Sequence, residues 1–259
     1  MTPAARLTKQ IIVVVVFFLV VGGLGFLGFR VIKPAAPTPS PNPTINLIPI
    51  GIVSTKLLNV EGNDYDFVAK VFNPNSDYGS ANVEYELKFL DALGGELSQK
   101  IGSFYILPGQ TKHLVITPLR FSRPVASALM AIKSVDWQKL DPLAAAGVPL
   151  IARNFAYNQV LQPGVFGKVG GSVTNNSNFD LNRVETMVLL FDQSDSVIAA
   201  NRTEILTFLA KTSRGFEVTW FAPFVGQVSR VEAEANTNIF ENSNFLRQYG
   251  GQERFQQFY

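Results

Sequence analysis

The chain has 259 residues, of which 47% are hydrophobic and 16% are charged, compared with about 25% charged residues in an average soluble domain. It contains no cysteine and a single histidine, His113, which excludes a disulfide framework, a cysteine nucleophile and metal sites built from thiolates or several histidines. The formal net charge of +2 is unevenly divided: residues 1–33 hold four basic and no acidic residues, whereas the remainder holds 18 basic and 20 acidic residues. The basic character therefore belongs to the N-terminal region, and we expect no nucleic-acid partner.

Residues 11–29 form an uninterrupted run of 19 uncharged, strongly apolar residues. At about 1.5 Å per residue, a helix of this length nearly crosses a hydrocarbon core of about 30 Å. Arg30 and Lys33 follow the run where a signal peptide would have a small-residue cleavage site. We therefore predict an uncleaved signal-anchor, with a tail at residues 1–10, a transmembrane helix at 11–32 and a location in the cell membrane. The flanking charges tie, so the expectation of extracytoplasmic C-terminal domains rests on the short N-terminal tail.

A proline-rich linker follows at residues 33–49. Its prolines are Pro34, Pro37, Pro39, Pro41, Pro43 and Pro49. Because proline fixes φ and has no N–H to donate, neither a helix nor a central strand is expected here. A polyproline II chain rises about 3.1 Å per residue, so the linker would reach roughly 50 Å. We interpret it as a semi-rigid stalk, with a recognition site for a proline-binding module as the alternative.

The rest of the chain repeats itself in a near-constant register. The matching pairs are Gly62 and Gly164, Val71 and Val173, Ile116 and Val218, and Ala131 and Ala233 at an offset of 102, with Val83 and Val184 and Asp91 and Asp192 at an offset of 101. A unit of about 100 residues is the size of a small domain. We predict two copies of one domain, at residues 50–141 and 150–240, joined by a short apolar segment in a fixed or semi-fixed tandem.

Both copies show the pattern of β-strands. Polar and apolar residues alternate along residues 83–89 in the first copy and 216–220 in the second, which places one face of each strand on a core and the other in water. Turn residues punctuate this pattern at short intervals, as in a sandwich of short strands. The predicted fold is all-β, with two tandem immunoglobulin-like β-sandwich domains after an N-terminal transmembrane helix and a proline-rich linker.

The repeated motifs resemble those of a known group of domains. Each copy has a strand that ends near Asn-x-Ser and another that ends in Phe-Leu-Asp (residues 89–91) or Leu-Phe-Asp (residues 190–192), followed by a turn and a further strand. In the first copy, residues 106–110 lead into one more strand. Over roughly residues 50–240, the chain resembles the FxLYD-type and water-stress-type immunoglobulin-like domains of prokaryotic membrane-anchored envelope proteins. The resemblance implies a non-catalytic sandwich module, often anchored, with no agreed ligand.

Residues that could support catalysis are sparse. His113 starts a predicted strand after a Pro-Gly turn, and we interpret it as a surface residue at a strand edge, not as a general base. Asp192, Ser194, Asp195 and Ser196 could offer oxygen ligands to a hard cation, but these residue types also hydrogen-bond their own backbone, and a plain turn is the simpler interpretation. We therefore predict no catalytic, cofactor-binding or metal-binding residue, and no cofactor.

Two further patterns have simple structural interpretations. Glu84 and Glu86 lie on one face of a predicted strand, which we expect to be solvated. Residues 175–177 and 201–203 match the glycosylation sequon. We interpret the first as turn chemistry. Glycosylation is not expected, because a cysteine-free exported tandem is more typical of bacteria than of eukaryotes.

The C-terminal tail at residues 241–259 is rich in aromatic residues, and we expect it to fold back on the second domain or to dock on a partner. We predict a non-enzymatic, single-pass membrane-anchored protein that presents its two domains for protein binding or envelope scaffolding. The alternative is an accessory subunit of a membrane protein complex that contacts its partners through the transmembrane helix and this tail. The expected partners are the lipid bilayer and a protein of the cell envelope. A metal-dependent hydrolase that uses Asp192 is an alternative from a different class.

Overall fold

The computed structural model describes residues 13–24, 26 and 46–249. Its contacts divide the chain into two units, Met1–Asn46 and Leu47–Tyr259. In the first unit, residues 13–24 form a helix, α1. No helix among the described residues is both long enough and apolar enough to cross a bilayer. The predicted tail at 1–10, most of the predicted linker at 33–49 and residues 250–259 lie outside the described residues, as does part of the predicted transmembrane helix at 11–32.

The second unit consists mainly of β-strands that fall into two halves. The strands of the first half are β1 (Gly51–Glu61), β2 (Asp64–Phe72), β3 (Tyr78–Leu90), β4 (Glu96–Ile106), β5 (Thr111–Arg120) and β6 (Ser127–Lys139). Those of the second half are β7 (Leu150–Gln162), β8 (Val165–Asn175), β9 (Leu181–Phe191), β10 (Val197–Phe208), β11 (Ser213–Trp220) and β12 (Arg230–Asn236). Helix α2 (Pro142–Ala145) lies between the halves, and a 3₁₀ turn (Ile239–Glu241) and helix α3 (Ser243–Tyr249) follow β12.

Each half forms two three-stranded sheets in which all neighbours are antiparallel. The strand orders are β1-β2-β5 and β4-β3-β6 in the first half, and β7-β8-β11 and β10-β9-β12 in the second. Adding six to each strand number of the first half gives the order of the second, so the halves share one topology. The predicted all-β fold is confirmed in this sandwich-like form. Each half has six described strands, one fewer than the seven of an immunoglobulin constant domain.

An apolar core lies between the two sheets of each half. In the first half, Phe67 of β2 packs in one cluster with Leu87 of β3, and in the second half Val173 of β8 packs with Val188 of β9. The alternation predicted for residues 83–89 and 216–220 is confirmed, since the apolar positions are buried and Glu84 and Glu217 between them are exposed. The strands β1 and β7 have no counterpart in the sequence-based assignment. Both are edge strands, and most of β1 is exposed or half-buried, so it carries few of the apolar positions that mark a strand.

The halves pack against each other through the sheets β1-β2-β5 and β10-β9-β12. One apolar cluster joins the two outer faces, with Leu58, Val68 and Val115 from the first half and Met187, Leu189, Phe191 and Ala200 from the second. Val184 and Val188 of β9 face the second core, so β9 is buried on both faces. A strand buried on both faces reads as a continuous apolar run, which explains the sequence Met-Val-Leu-Leu-Phe at residues 187–191.

The connection between the halves is also packed. Asp141 caps α2, with its Oδ1 accepting a hydrogen bond of 2.9 Å from the backbone N–H of Leu143. Ala144 is buried in the same cluster as Tyr105 and Leu107 of the first half and the core residues of the second. The connection is therefore part of the apolar core rather than a free hinge.

Candidate functional site

A cleft of about 360 Å³ lies at the junction of the two halves, at the small end of the volumes known for ligand pockets. Strands β3, β4 and β5 contribute its walls from the first half, and β9, β10 and residues 236–242 contribute them from the second. The strands β4 and β5 are edges of their sheets, so the first sandwich is open between them. The second half covers this opening and turns it into a cleft.

Lys112 is the most buried charged residue of the cleft, with 1% of its surface exposed. Because residues two apart on a strand share a face, Lys112 lies on the core-facing side of β5 with Leu114. Its Nζ donates a hydrogen bond of 3.3 Å to the carbonyl oxygen of Tyr105 and lies 3.6 Å from the centroid of the Tyr105 ring. Lys112 forms no ion pair with any carboxylate of the described residues.

Burial lowers the pKa of Lys112 to about 8, against the opposing effect of the negative charges of Glu185 and Glu234. An ammonium group that leaves water loses its hydration, and the neutral amine gains unless an anion replaces that loss. The neighbouring Tyr105 hydroxyl is buried and has no hydrogen-bond partner within the described part of the chain, and burial raises its pKa. The cleft thus contains two adjacent residues, Lys112 and Tyr105, whose polar groups can each form further hydrogen bonds.

The other charged side chains of the cleft are already engaged or exposed. Arg183 is paired with Glu204, and Arg202 lies 3.7 Å from a carboxylate oxygen of Glu185. Glu241 is exposed, and its Oε1 accepts a hydrogen bond of 2.9 Å from the Asn238 side chain. Among the described residues, Lys112 is therefore the cation of this cleft that has no carboxylate partner.

The second half has a cation at the position equivalent to Lys112, but no other described part of the protein covers it. Arg214 lies 102 residues after Lys112, and its Nη1 donates a hydrogen bond of 2.9 Å to the carbonyl oxygen of Leu206, the counterpart of Tyr105 at an offset of 101. In both halves, a cationic side chain on the fifth strand (β5 or β11) thus donates a hydrogen bond to a carbonyl oxygen of the fourth strand (β4 or β10). Arg214 is exposed, whereas Lys112 is buried because the second half packs over it.

The structure corrects the expectation that His113 is a surface residue, although β5 is an edge strand as expected. Its Nδ1 lies 3.0 Å from Oε2 of Glu234 on β12, and its backbone N–H donates to the same oxygen at 3.2 Å. The histidine side chain is 14% exposed. Burial alone would raise the pKa of Glu234, but the hydrogen bonds from His113 and Asn236 lower it below its ordinary value. His113 is therefore a polar contact across the junction, a role that depends on strands distant in sequence.

The carboxylates singled out in the second copy lie in a turn, as the sequence indicated. Oδ1 of Asp192 accepts hydrogen bonds from Ser194 and from the backbone N–H of Ser196 at 2.7–3.0 Å, and the Ser194 hydrogen bond lowers the pKa of Asp192. Asp195 is paired with Arg230. In the first half, Asp91 caps the equivalent turn through its own Oδ1. No group of three or more candidate metal ligands is found within the described residues.

The asparagines of the two sequons have structural partners. Asn175 is buried, and its side-chain amide donates to the carbonyls of Phe179 at 2.8 Å and Leu209 at 3.2 Å. Asn73 occupies the same position in the first half, where it is buried and donates to the carbonyls of Tyr78 and Leu107. The Asn201 amide donates to the Thr219 carbonyl at 2.9 Å. The interpretation of residues 175–177 as turn chemistry is confirmed.

The described part of the C-terminal tail folds back on the second half. Phe245 of α3 is buried in the second core and meets the Phe179 ring with centroids 5.2 Å apart. Phe245 thus packs inside the molecule, and the tail beyond residue 249 lies outside the described residues.

Glu84 and Glu86 lie on the outer face of β3, where Glu84 accepts a hydrogen bond from Ser134 and Glu86 is paired with Lys133.

The loop between β11 and β12, residues 221–229, presents a second feature of interest. Phe224 points back into an aromatic group, with ring centroids 4.9 Å from Phe166 and 5.9 Å from Tyr157. Its neighbours Phe221 and Val225 are 72% and 93% exposed. The loop therefore holds two large apolar side chains in water on a base fixed by aromatic packing.

Comparison with known proteins gives little support for any assignment. No protein-family model matches the chain, and no curated protein matches it either. One solved structure that matches is the crystal structure of red sea bream transglutaminase, at 15% identity and a TM-score of 0.22. The match covers 71% of this chain and 29% of the transglutaminase chain.

This match corrects one expectation from the sequence. The chain was expected not to be an enzyme, and the matched protein is a transglutaminase, so a non-enzymatic class is no longer assigned. A TM-score of 0.22 carries no argument for a transglutaminase activity in this chain.

Sequence reasoning missed Lys112, although a signal was present. In the segment from Lys112 to Ile116, a lysine occupies the same face as Leu114 and Ile116, a position expected to face the core. A charged residue on the apolar face of a strand marks a site that needs a partner.

Proposed function

We propose that the chain is a membrane-anchored binding protein whose head is a tandem of two immunoglobulin-like β-sandwiches joined into one rigid body. The exposed Phe221 and Val225 on their aromatic base carry this proposal. Large apolar side chains on a rigid support are typical anchors of protein interfaces, because little conformational entropy is lost when the partner binds. The partner in this proposal is a protein of the cell envelope.

Two repeated structural details support the tandem. The buried asparagines Asn73 and Asn175 make the same contacts at an offset of 102, and the turns at Asp91 and Asp192 use the same capping hydrogen bonds at an offset of 101. Repeated buried hydrogen bonds favour duplication of one domain. The resemblance to FxLYD-type and water-stress-type domains is retained as part of the proposal.

The anchor rests on the apolar run at residues 11–29. Within the described helix 13–24, the large apolar side chains are 48–71% exposed. A helix that is apolar on all sides requires a nonpolar surrounding, which a bilayer provides. In this proposal the proline-rich linker at 33–49 connects the anchor to the head.

The test is chemical crosslinking in native membranes with mass spectrometry, using the full chain and the double variant Phe221→Ser/Val225→Ser. The matched control is Leu93→Ser, which changes a 96% exposed leucine in the turn between β3 and β4. Crosslinked partners are expected with the wild type and the control, and about fivefold fewer with the double variant. Equal recovery with the double variant would overturn the loop as the binding surface. Partners that crosslink to the N-terminal anchor alone would favour the accessory-subunit alternative.

A further inference from the structure

Independently of the partner-binding loop, we infer that the junction cleft binds a small organic acid, with the carboxylate on the Lys112 ammonium and the apolar body against Phe104, Leu114 and Ile116. These residues line the same cleft of about 360 Å³. Lys112 has three N–H donors, and the hydrogen bond to Tyr105 uses one of them. A buried ammonium without an anion is costly, and a carboxylate in the cleft removes that cost.

The charges around Lys112 favour a singly charged acid. Arg183 and Arg202 are occupied by Glu204 and Glu185, which leaves one cation without a carboxylate among the described residues of the cleft. A phosphate group would bring more negative charge than this single ammonium balances. On the opposite side of β5, His113 and Glu234 pair with each other, and the exposed Glu241 is screened by solvent.

The remaining walls suit a small body with an apolar face. Phe104, Leu114 and Ile116 supply apolar surface from the first half, and Asn182 and Asn236 supply amide groups from the second. The position requires both halves, because the equivalent cation of the second half, Arg214, is exposed. The site is therefore a property of the joined halves and not of one sandwich.

The experiment is a calorimetric titration of the full chain in detergent with sodium benzoate, with benzamide and sodium chloride as controls. Benzamide keeps the ring and replaces the carboxylate with a neutral amide. Benzoate is expected to bind with a Kd of about 1 mM or tighter, and benzamide at least about tenfold more weakly. Lys112→Met should weaken benzoate by about tenfold or more, whereas the matched control Arg214→Met should leave it unchanged.

A second measurement needs no variant. In the wild type with ¹³C-labelled lysines, one side chain is expected to titrate near pH 8, and benzoate should move that titration to higher pH because the carboxylate favours the ammonium form. Benzoate affinity should also fall as the pH rises above about 8.

Three outcomes would overturn the inference. They are the absence of saturable benzoate binding up to about 20 mM, equal binding of benzoate and benzamide, or benzoate binding that Lys112→Met leaves intact, which would assign it to the arginines. None of these outcomes bears on the partner-binding loop, whose test uses different residues.

Discussion

Replacement of Lys112 by methionine is the sharpest test of the structure. The pKa of Lys112 falls from 10.5 to about 8 on folding, which corresponds to a cost of about 3 kcal/mol for the charged form. This cost is fully present below pH 8, where both states are protonated. Between pH 8 and 10.5 the unfolded chain holds a proton that the folded chain has released, so the free energy of unfolding rises with pH across this window.

Methionine has a similar length and no charge, so Lys112→Met should raise the free energy of unfolding at pH 7 by about 1–3 kcal/mol. The lost contact with the Tyr105 ring offsets part of the gain. The difference from the wild type should shrink towards pH 10.5, since the folded wild-type protein then holds a neutral lysine and no longer buries a charge. Urea unfolding of the full chain in detergent at pH 7 and pH 10 measures this, with Arg214→Met as the exposed control. A destabilised Lys112→Met at pH 7, or a difference independent of pH, would refute the reasoning.

Three further predictions concern the junction and the core. Leu189→Ala should lower the free energy of unfolding by about 2–5 kcal/mol, because Leu189 is fully buried between the halves, whereas Leu93→Ala at an exposed turn should change it by less than about 0.5 kcal/mol in the same urea titration. Asn175→Ala should cost about 2–4 kcal/mol, because buried carbonyls lose their donor; retention of wild-type stability would contradict its assigned role. Glu234→Gln should destabilise the chain at pH 7 by about 1–2 kcal/mol through its contact with His113. Because the folded pKa of Glu234 lies below 4.5, that difference should disappear as the pH falls through it, and a constant difference down to acid pH would exclude this origin.

Much of the fold could be predicted because its signals are local. Alternation along residues 83–89 marks a strand with one buried face, and the turn at Asp192 follows from hydrogen bonds to residues two and four positions ahead. The repeat was visible because core and turn residues recur at fixed offsets. The strands β1 and β7 were missed because most of their residues are exposed or half-buried, so they carry a weak pattern.

Only one part of the candidate site had a signal in the sequence, the lysine on the apolar face of β5. The rest could not be predicted, since it depends on strands that are distant along the chain. Lys112 and Arg214 occupy equivalent positions of a repeated unit, yet one is buried and the other exposed. The difference arises because the second half covers the opening between β4 and β5 at Lys112, whereas the equivalent side chain Arg214 has no such cover among the described residues. His113 meets Glu234 for the same reason, across a separation of 121 residues.

The sequence alone determined the all-β character, the repeat and the turns, because hydrophobic alternation and side-chain hydrogen bonding act over a few residues. The tertiary structure decided which outer face is buried, which cation loses its water and where a cleft forms. Those properties depend on how sheets distant along the chain pack together, and desolvation is set by that packing rather than by neighbours in sequence.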